Sequence, residues 1–338
     1  MEQPSRVTDS AQLHRADSGS LAANGQAQAA PLRMAAGIVS FNTRELLRQC
    51  LASLAAQAPA GLLVFDNQST DGTLEMLRSD YPQVTVLSPD HNLGYGAAAN
   101  RLVAACSQDY MLLLNSDTRL RPGALGALQA YLDQHPRTAV AGPRLVNADG
   151  TLQVSCFPFP SPLFALLRAT SLGHLAGRLP GLRQHYLPAW AHDQARPVPW
   201  VVGAALAIRR AAFSAVGGFD ESFFMYSEEV DLCYRLRASG WRTDFAPVTD
   251  VTHLGGASAS QQRAAMEEQK YASTAHFYRE HYTRWQRWLL NLVVTYEMAR
   301  NIARDSWRLR RAVRPAQRGR LGADLALWKQ ILSRQWQW

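Results

Sequence analysis

The apolar positions between residues 34 and 135 switch repeatedly between a compact run and a 3.6-residue repeat. Ala36-Gly37-Ile38-Val39-Ser40-Phe41 has the unbroken apolar character of a strand buried on both faces. The residues after it place Leu46, Leu47, Cys50, Leu51 and Leu54 on one side of a helix, and Asn42 with Glu45 approximates a capping box at its start. Leu62-Leu63-Val64-Phe65, stopping at Asp66, predicts a second strand and Val84-Thr85-Val86-Leu87 a third. Gly94 to Ser107 predicts another helix. Tyr110-Met111-Leu112-Leu113-Leu114 predicts a buried strand that ends abruptly in Asn115-Ser116-Asp117, and Pro122 marks a further helix because proline suits the first helical position.

Strands and helices in this alternation imply an α/β fold with a mostly parallel central sheet and helices on both faces. Ligands of such sheets sit outside the carboxyl ends of the strands, where Asp66 and Asp117 both fall. After Ala139 the pattern changes. Asn147-Ala148-Asp149-Gly150 separates Arg144-Leu145-Val146 from Leu152-Gln153-Val154-Ser155 and predicts a small antiparallel element. Residues 157 to 199 are proline-rich without periodicity, as expected of a functional loop or a mobile lid.

With 338 residues, 47% of them hydrophobic, the chain can bury a large core. Residues 1–33 are the exception: Ser, Ala, Gln, Asn and Gly dominate, which predicts a disordered leader, and no apolar core of a secretory signal is present. Cys50, Cys106, Cys156 and Cys233 stand in apolar stretches without CxxC spacing, predicting reduced core thiols on the cytoplasmic side. The net charge of +8 is concentrated: residues 261–338 hold 15 Lys and Arg against 6 Asp and Glu. That tail also carries Trp285, Trp288, Leu289, Leu290, Leu292, Val293, Val294 and Tyr296, fewer than the ~20 apolar residues of a membrane span. Arginine flanks and interfacial Trp suit a helix lying on an anionic membrane surface; a helical hairpin packed on the domain explains the same pattern. Nucleic acid is not an expected partner.

Four segments carry candidate chemistry. Asp66 directly follows a strand, where a carboxylate can accept a pyrimidine N–H or a ribose hydroxyl; equally, Asp71 or Ser69 can cap the next helix while Asp66 closes a turn. His91 to Asn100 is glycine-rich and opens a helix, which lets a nucleotide approach the backbone or lets helix and sheet pack closely; it has neither GxGxxG nor Walker spacing. Asn115-Ser116-Asp117 is similar to the DxD element that holds a divalent cation against a diphosphate. Mg²⁺ and Mn²⁺ need few protein oxygens when phosphates supply others, but with Asn in first place only Asp117 is charged. In Glu228-Glu229-Val230-Asp231, adjacent carboxylates raise each other's pKa, which favours a general base; a capped helix with an Asp231–Arg235 pair is the plain structural reading.

Taken in order, Ser40-Phe41-Asn42, Asp66-Asn67 with Ser69 and Asp71-Gly72-Thr73, Asn92-Leu93-Gly94, Asn115-Ser116-Asp117, Trp200 with Gly203-Ala204, Gly217-Gly218-Phe219-Asp220-Glu221, Glu228-Glu229-Val230-Asp231 and Asp250-Val251-Thr252-His253 resemble family 2 glycosyltransferases. The likeness is greatest to the rhamnosyltransferase-like branch that builds bacterial cell-surface polysaccharides, and spans about residues 35 to 260. It implies a GT-A fold over residues 34–260, with 34–135 as the nucleotide-binding half and 136–260 as the acceptor and catalytic half; beyond the likeness, residues 261–338 form the expected basic amphipathic helical tail. It further implies inverting, metal-dependent transfer of one sugar, rhamnose among the candidates, from a nucleotide-diphosphate donor to a saccharide or polyprenyl-linked acceptor. By this carry-over Ser40, Phe41, Asn42, Asp66, Asn92, Gly94, Asn100, Ser116, Trp200 and Gly203 form the nucleotide-sugar site, with Asp66 on the base. Asp117 and His253 hold Mg²⁺ or Mn²⁺, and Glu229, with Asp231 beside it, takes the acceptor proton. The chain lacks the Gln-x-x-Arg-Trp element of processive members and a multi-span membrane region, which implies single addition; a lipid-linked acceptor accounts for the basic, Trp-rich tail, so the expected location is the inner face of the cell membrane with the tail in contact with lipid. Two other classes fit parts of the pattern. A non-catalytic sugar-nucleotide-binding protein can dispense with Glu229, and a sugar nucleotidyltransferase needs a Gly- and Lys/Arg-rich loop where Asn42-Thr43-Arg44-Glu45 stands.

Overall fold

In a computed structural model of the chain, which describes residues 32–170, 190–255 and 263–337, the apolar runs pair into one large sheet. β1 (Met34–Ser40), β2 (Leu62–Asp66), β3 (Thr85–Leu87) and β4 (Tyr110–Asn115) are parallel in the order β3-β2-β1-β4, joined by α1 (Arg44–Ala55), α2 (Thr73–Asp80) and α3 (Tyr95–Ala104). Because side chains alternate along a strand, Leu112 and Leu114 of β4 enter one core layer with Ile38, Leu47 and Leu51, while Met111 and Leu113 enter the other with Phe65 and Leu102. Burial on both faces is why these strands read as unbroken apolar runs. The register pairs Ser40 with Asp66 and Val39 with Asn115, so three strand ends open onto one crevice.

The second half completes the same sheet. β5 (Thr118–Leu120), α4 (Ala124–Gln134) and β6 (Thr138–Val146) follow β4; α4 starts after Gly123, whose φ of 78° makes the turn that Pro122 introduces. β6 turns through Asn147–Thr151 into β7 (Leu152–Gln153), the expected hairpin. β8 (Cys156–Phe157) pairs with β10 (Trp200–Val201) in a separate two-stranded sheet, and β9 (Arg196–Pro197) lies on β12 (Arg242–His253). β11 (Ala205–Arg209) inserts antiparallel between β4 and β6, and β12 runs parallel to β6. The boundary expected at 135/136 therefore separates segments of sequence that share one sheet.

Three findings differ from, or fill in, the sequence reading. The proline-rich stretch contains a helix, α5 (Pro162–Ala169), whose start is fixed by the Ser161 hydroxyl accepting the Phe164 amide at 3.1 Å with Pro162 in the first turn. Its centre, 171–189, lies outside the described residues, as do the leader up to residue 31 and the boundary drawn at 260. All four cysteines are buried and unpaired. The tail forms α8 (Arg263–His281), α9 (Arg284–Arg311) and α10 (Pro315–Arg334), following α6 (Arg210–Ala215) and α7 (Glu228–Ala238). Phe277, Tyr278 and Leu290 bury against Phe223 and Val230, and Met298, Leu327 and Ile331 form a smaller core. Packing thus accounts for one face of the tail, whereas Trp285, Trp288, Leu292, Tyr296 and Trp307 stay 41–63% exposed. No helix among the described residues is long and apolar enough to cross a membrane.

Candidate active site

The crevice is built from loops held by short polar side chains. At the end of β1 a hydroxyl chain runs from Ser40 through Thr43 to Ser116, at 3.1 and 2.7 Å, tying that loop to the end of β4. The Ser116 hydroxyl is spent in this chain, and Thr43, which the motif reading passed over, is its centre. Asn42 takes φ 51° and its Oδ1 accepts the Thr70 amide at 2.7 Å, while Asp71 accepts the amides of Arg44 and Thr73. The N-cap of α2 is Gly72, with Asp71 bonding first-turn amides beside it, and Asp66 closes the turn to Ser69 through one oxygen only. Asp66 is fully buried, its Oδ2 accepts the Ser69 amide, and its Oδ1 has no partner. Burial pushes its carboxyl above the ordinary range. An orphaned acceptor at a strand end is where a donor N–H or O–H of a ligand would bind. Phe41 beside it is half-buried.

Asn67, also missed as a site residue, bridges to the next loop: its amide donates to the Gly94 carbonyl at 3.0 Å and its carbonyl accepts the Leu93 amide at 2.8 Å. Asn92 Oδ1 accepts the Gly94 amide at 2.9 Å. Gly94 sits at φ 81°, and a Cβ there would stand 2.2 Å from the Phe224 carbonyl oxygen, which itself accepts the Tyr95 amide. Gly94→Ala is expected to cost about 3 kcal/mol or more, whereas Gly123→Ala, at a similar φ with open space around it, should cost about 1 kcal/mol. Chemical denaturation of both variants checks this, the Gly94 loss combining the Phe224 contact with the strain of a φ 81°, ψ 178° backbone; equal losses would mean that both yield easily.

The Phe224 loop delivers the acidic cluster. Tyr226 and Ser227 both take φ near 70°, a strained pair immediately before α7. Glu228 is buried with its Oε2 unpartnered, and burial, together with the Glu229 charge, pushes it well above the ordinary carboxylate range. Glu229 is also raised by burial, but its carboxylate is opposed by amides of the first turn and of Gly203, which favour the charged form. Both carboxyls are therefore held above the ordinary range, Glu228 well above it. Glu229 packs against Gly203, where its Oε1 lies 3.7 Å from the position of a Cβ, and the neighbouring Ala204 carbonyl accepts the Asn115 amide. That bond brings the Glu229 side of the cleft against the end of β4. Tyr95 Oη donates to the Gly203 carbonyl at 3.1 Å and braces the same point.

Asp231 is differently placed. One oxygen meets Arg235 at 2.6 Å and the other meets His281 of α8 at 2.7 Å, all within the protein. Both sides of the carboxylate are engaged, so it anchors α7 to the tail; the Asp231–Arg235 pair forms as the plain reading expected. Asn100 is likewise engaged within the protein, exchanging two 2.9 Å bonds with the Phe219 backbone and donating to Glu221 at 3.0 Å. Trp200 donates its indole N–H to the Pro158 carbonyl at 2.9 Å and stacks on Phe157, so it lines a packed wall.

At the far edge of the crevice, His253 Nε2 lies 3.4 Å from Asp117 Oδ1. Its Nδ1 lies 2.7 Å from Gln153 Oε1, an acceptor for an Nδ1 proton, so Nε2 is the ring nitrogen turned towards the carboxylate. Two electron-pair donors that face each other at this distance fit a cation between them. The described residues contain no cluster of three or more His, Cys, Asp or Glu suited to a metal, so Mg²⁺ or Mn²⁺ would need further ligands from phosphate or water.

The family model described as "Glycosyltransferase like family 2" matches residues 31–287. The chain is a family 2 glycosyltransferase. It is 34% identical over 265 residues to the N-acetylglucosaminyl-diphospho-decaprenol L-rhamnosyltransferase of Mycobacterium tuberculosis, covering 74% of this chain and 85% of that one. The fold of the glycosyltransferase is shared with a mannosyltransferase from Pyrobaculum calidifontis in complex with GDP-Man and Mn²⁺, at TM-score 0.50 and 15% identity over 90% of this chain and 87% of that one. It is also similar to GalNAc-T7 with UDP, GalNAc and Mn²⁺, at TM-score 0.50 and 16% identity over 66% of this chain and 44% of that one. The architecture is accordingly GT-A.

Proposed function

We propose that this glycosyltransferase transfers a single sugar, rhamnose being the leading candidate, with inversion from a nucleotide-diphosphate donor to a lipid-linked saccharide acceptor at the inner face of the cell membrane. The observation that carries the reading is the opposition of two sites: the Asp117–His253 pair at one strand end and the Glu229 carboxylate held beside Gly203 across the same crevice. Asp66 Oδ1 supplies an acceptor for the base, and the loops at Ser40–Asn42 and Asn92–Gly94 bring backbone to the nucleotide. Asp117 and His253 would hold Mg²⁺ or Mn²⁺, which when bound neutralises charge on the departing nucleoside diphosphate. Glu229 accepts the acceptor hydroxyl proton as that oxygen attacks the anomeric carbon, and one base with no enzyme nucleophile suits a single displacement. The 34% identity to an enzyme named for a decaprenyl-diphosphate substrate supports the lipid-linked acceptor, and the exposed aromatic, arginine-rich face of α9 supports contact with an anionic membrane.

Screening nucleotide sugars for protection against thermal unfolding tests the donor side. The matching donor at 100 times its Kd should add about 2.7 kcal/mol of stability, in a manner that depends on Mg²⁺ or Mn²⁺. Protection by free nucleotides alone, with no nucleotide sugar distinguished and no dependence on metal, would sink the reading.

A further inference from the structure

The tail holds two arginine-lined cavities that the transfer reaction does not use, and they differ in charge balance. The one between α9 and α10, about 430 Å³, contains Asp305 and Asp324 among its arginines, and Asp305 pairs with Arg304 at 2.9 Å. The other, about 230 Å³, lies where the end of α8, the start of α9 and the end of the chain meet, and its wall holds Arg279, Arg284 and Arg287 with Trp288, Asn291 and Trp336 but no carboxylate. Arg279 contacts only the His276 ring, at 3.1 Å, and none of the three arginines is ion-paired among the described residues. Three guanidinium groups that line one cavity, with no carboxylate among its lining residues, offer charge-assisted donors to an anion.

The rim identifies the source of the anion. Trp288 and Trp336 are each 54% exposed, and from Trp288 an apolar stripe continues along α9 through Leu292 and Tyr296, spaced by four residues and 41–49% exposed. A soluble phosphate would leave that stripe in water, whereas a phospholipid would place its headgroup in the cavity and its acyl chains beside the indoles. We propose that Arg279, Arg284 and Arg287 form a specific headgroup site for the phosphodiester of an anionic membrane phospholipid. The proposal rests on the membrane reading above and narrows it from diffuse charge attraction to one built site. A lipid held there would fix the height of α8 at the bilayer. α8 is the helix whose His281 meets Asp231, whose His276 meets Ser222 at 2.7 Å and whose Ser273 donates to the Met225 carbonyl at 2.8 Å, so α7, which carries Glu229, and the loop before it are positioned by the same element.

Flotation of the full chain with phosphatidylglycerol and with phosphatidylcholine vesicles tests this, using R279Q/R284Q/R287Q and the charge-matched control R310Q/R311Q/R320Q, both first shown to unfold at the wild-type temperature. The wild type should float with the anionic vesicles only, and the cavity variant should lose at least about ten-fold more affinity than the control. W288A, which keeps every charge, should also weaken flotation. Equal losses in the two triple variants would overturn the site while leaving membrane contact standing. A wild type that floats with neither vesicle would overturn both. Protection of the wild type by millimolar inorganic phosphate, lost in the cavity variant and without flotation, would assign the cavity to a soluble phosphate and overturn the lipid.

Discussion

Glu229→Gln is expected to lower sugar transfer about a thousandfold while leaving metal-dependent protection by the donor unchanged. The amide keeps the size of the side chain against Gly203 and the contacts of the first turn of α7, but it cannot take a proton. The pH dependence follows from the same pair. Burial raises both Glu228 and Glu229 above the ordinary carboxylate value of 4.5, so each contributes stability that is fully present below that value and is lost as pH rises through its folded-state pKa. Transfer should therefore climb with pH over the range in which the folded protein is being destabilised. Glu228→Gln removes part of that penalty, so it should raise the unfolding temperature more at pH 8 than at pH 5. Activity in Glu229→Gln within ten-fold of wild type would move the base elsewhere, and loss of donor protection would place Glu229 on the donor.

Asp117→Asn is expected to abolish metal-dependent donor binding and, with it, to lower transfer by about a thousandfold. The segment would then read Asn-Ser-Asn, with no charged oxygen at the end of β4, and His253 alone would face the diphosphate. Gln153→Ala should act in the same direction but more weakly, about 10–100-fold, because it frees the imidazole to rotate and to change tautomer without removing a ligand. Titration of Mn²⁺ in the presence of donor, followed by thermal unfolding, distinguishes the cases. An Mn²⁺ dependence identical in wild type and Asp117→Asn would take Asp117 out of the metal site.

The tail shows how one sequence pattern can hold two structural roles. Its apolar residues were compatible with a surface helix and with a packed hairpin; the fold shows the packing, with Leu290, Val294 and Met298 turned into two small cores, and leaves Trp288, Leu292 and Tyr296 facing out. Position around α9 decides between them, and that rotation is set by where Phe277 and Tyr278 dock on Phe223 and Val230. In the same way the plain and the chemical readings of the acidic cluster were not rivals. Asp231 satisfies the first by pairing with Arg235 and His281, and this leaves Glu228 and Glu229 as the buried pair available to the second.

Much of the fold was legible because its signals are local. Unbroken apolar runs marked β1, β2 and β4, the Leu47–Leu54 repeat marked α1, and the strand ends placed Asp66 and Asp117 at one crevice, since parallel strands of like length end together. Ordered motifs supplied the family. What no local pattern carries is which polar side chains are consumed in holding the site and which remain free, because the partners are far apart in the chain: Thr43 and Ser116 by 73 residues, Gln153 and His253 by 100, Asn100 and Phe219 by 119. A buried donor or acceptor must find a partner wherever the fold places one, so Asn100, Ser116 and Asp231 were drawn into support, and Asp66 Oδ1 and the Glu228–Glu229 pair were left open. The sequence alone determined the alternation of elements and the acids at the strand ends; only the tertiary structure decided which of those acids were already satisfied.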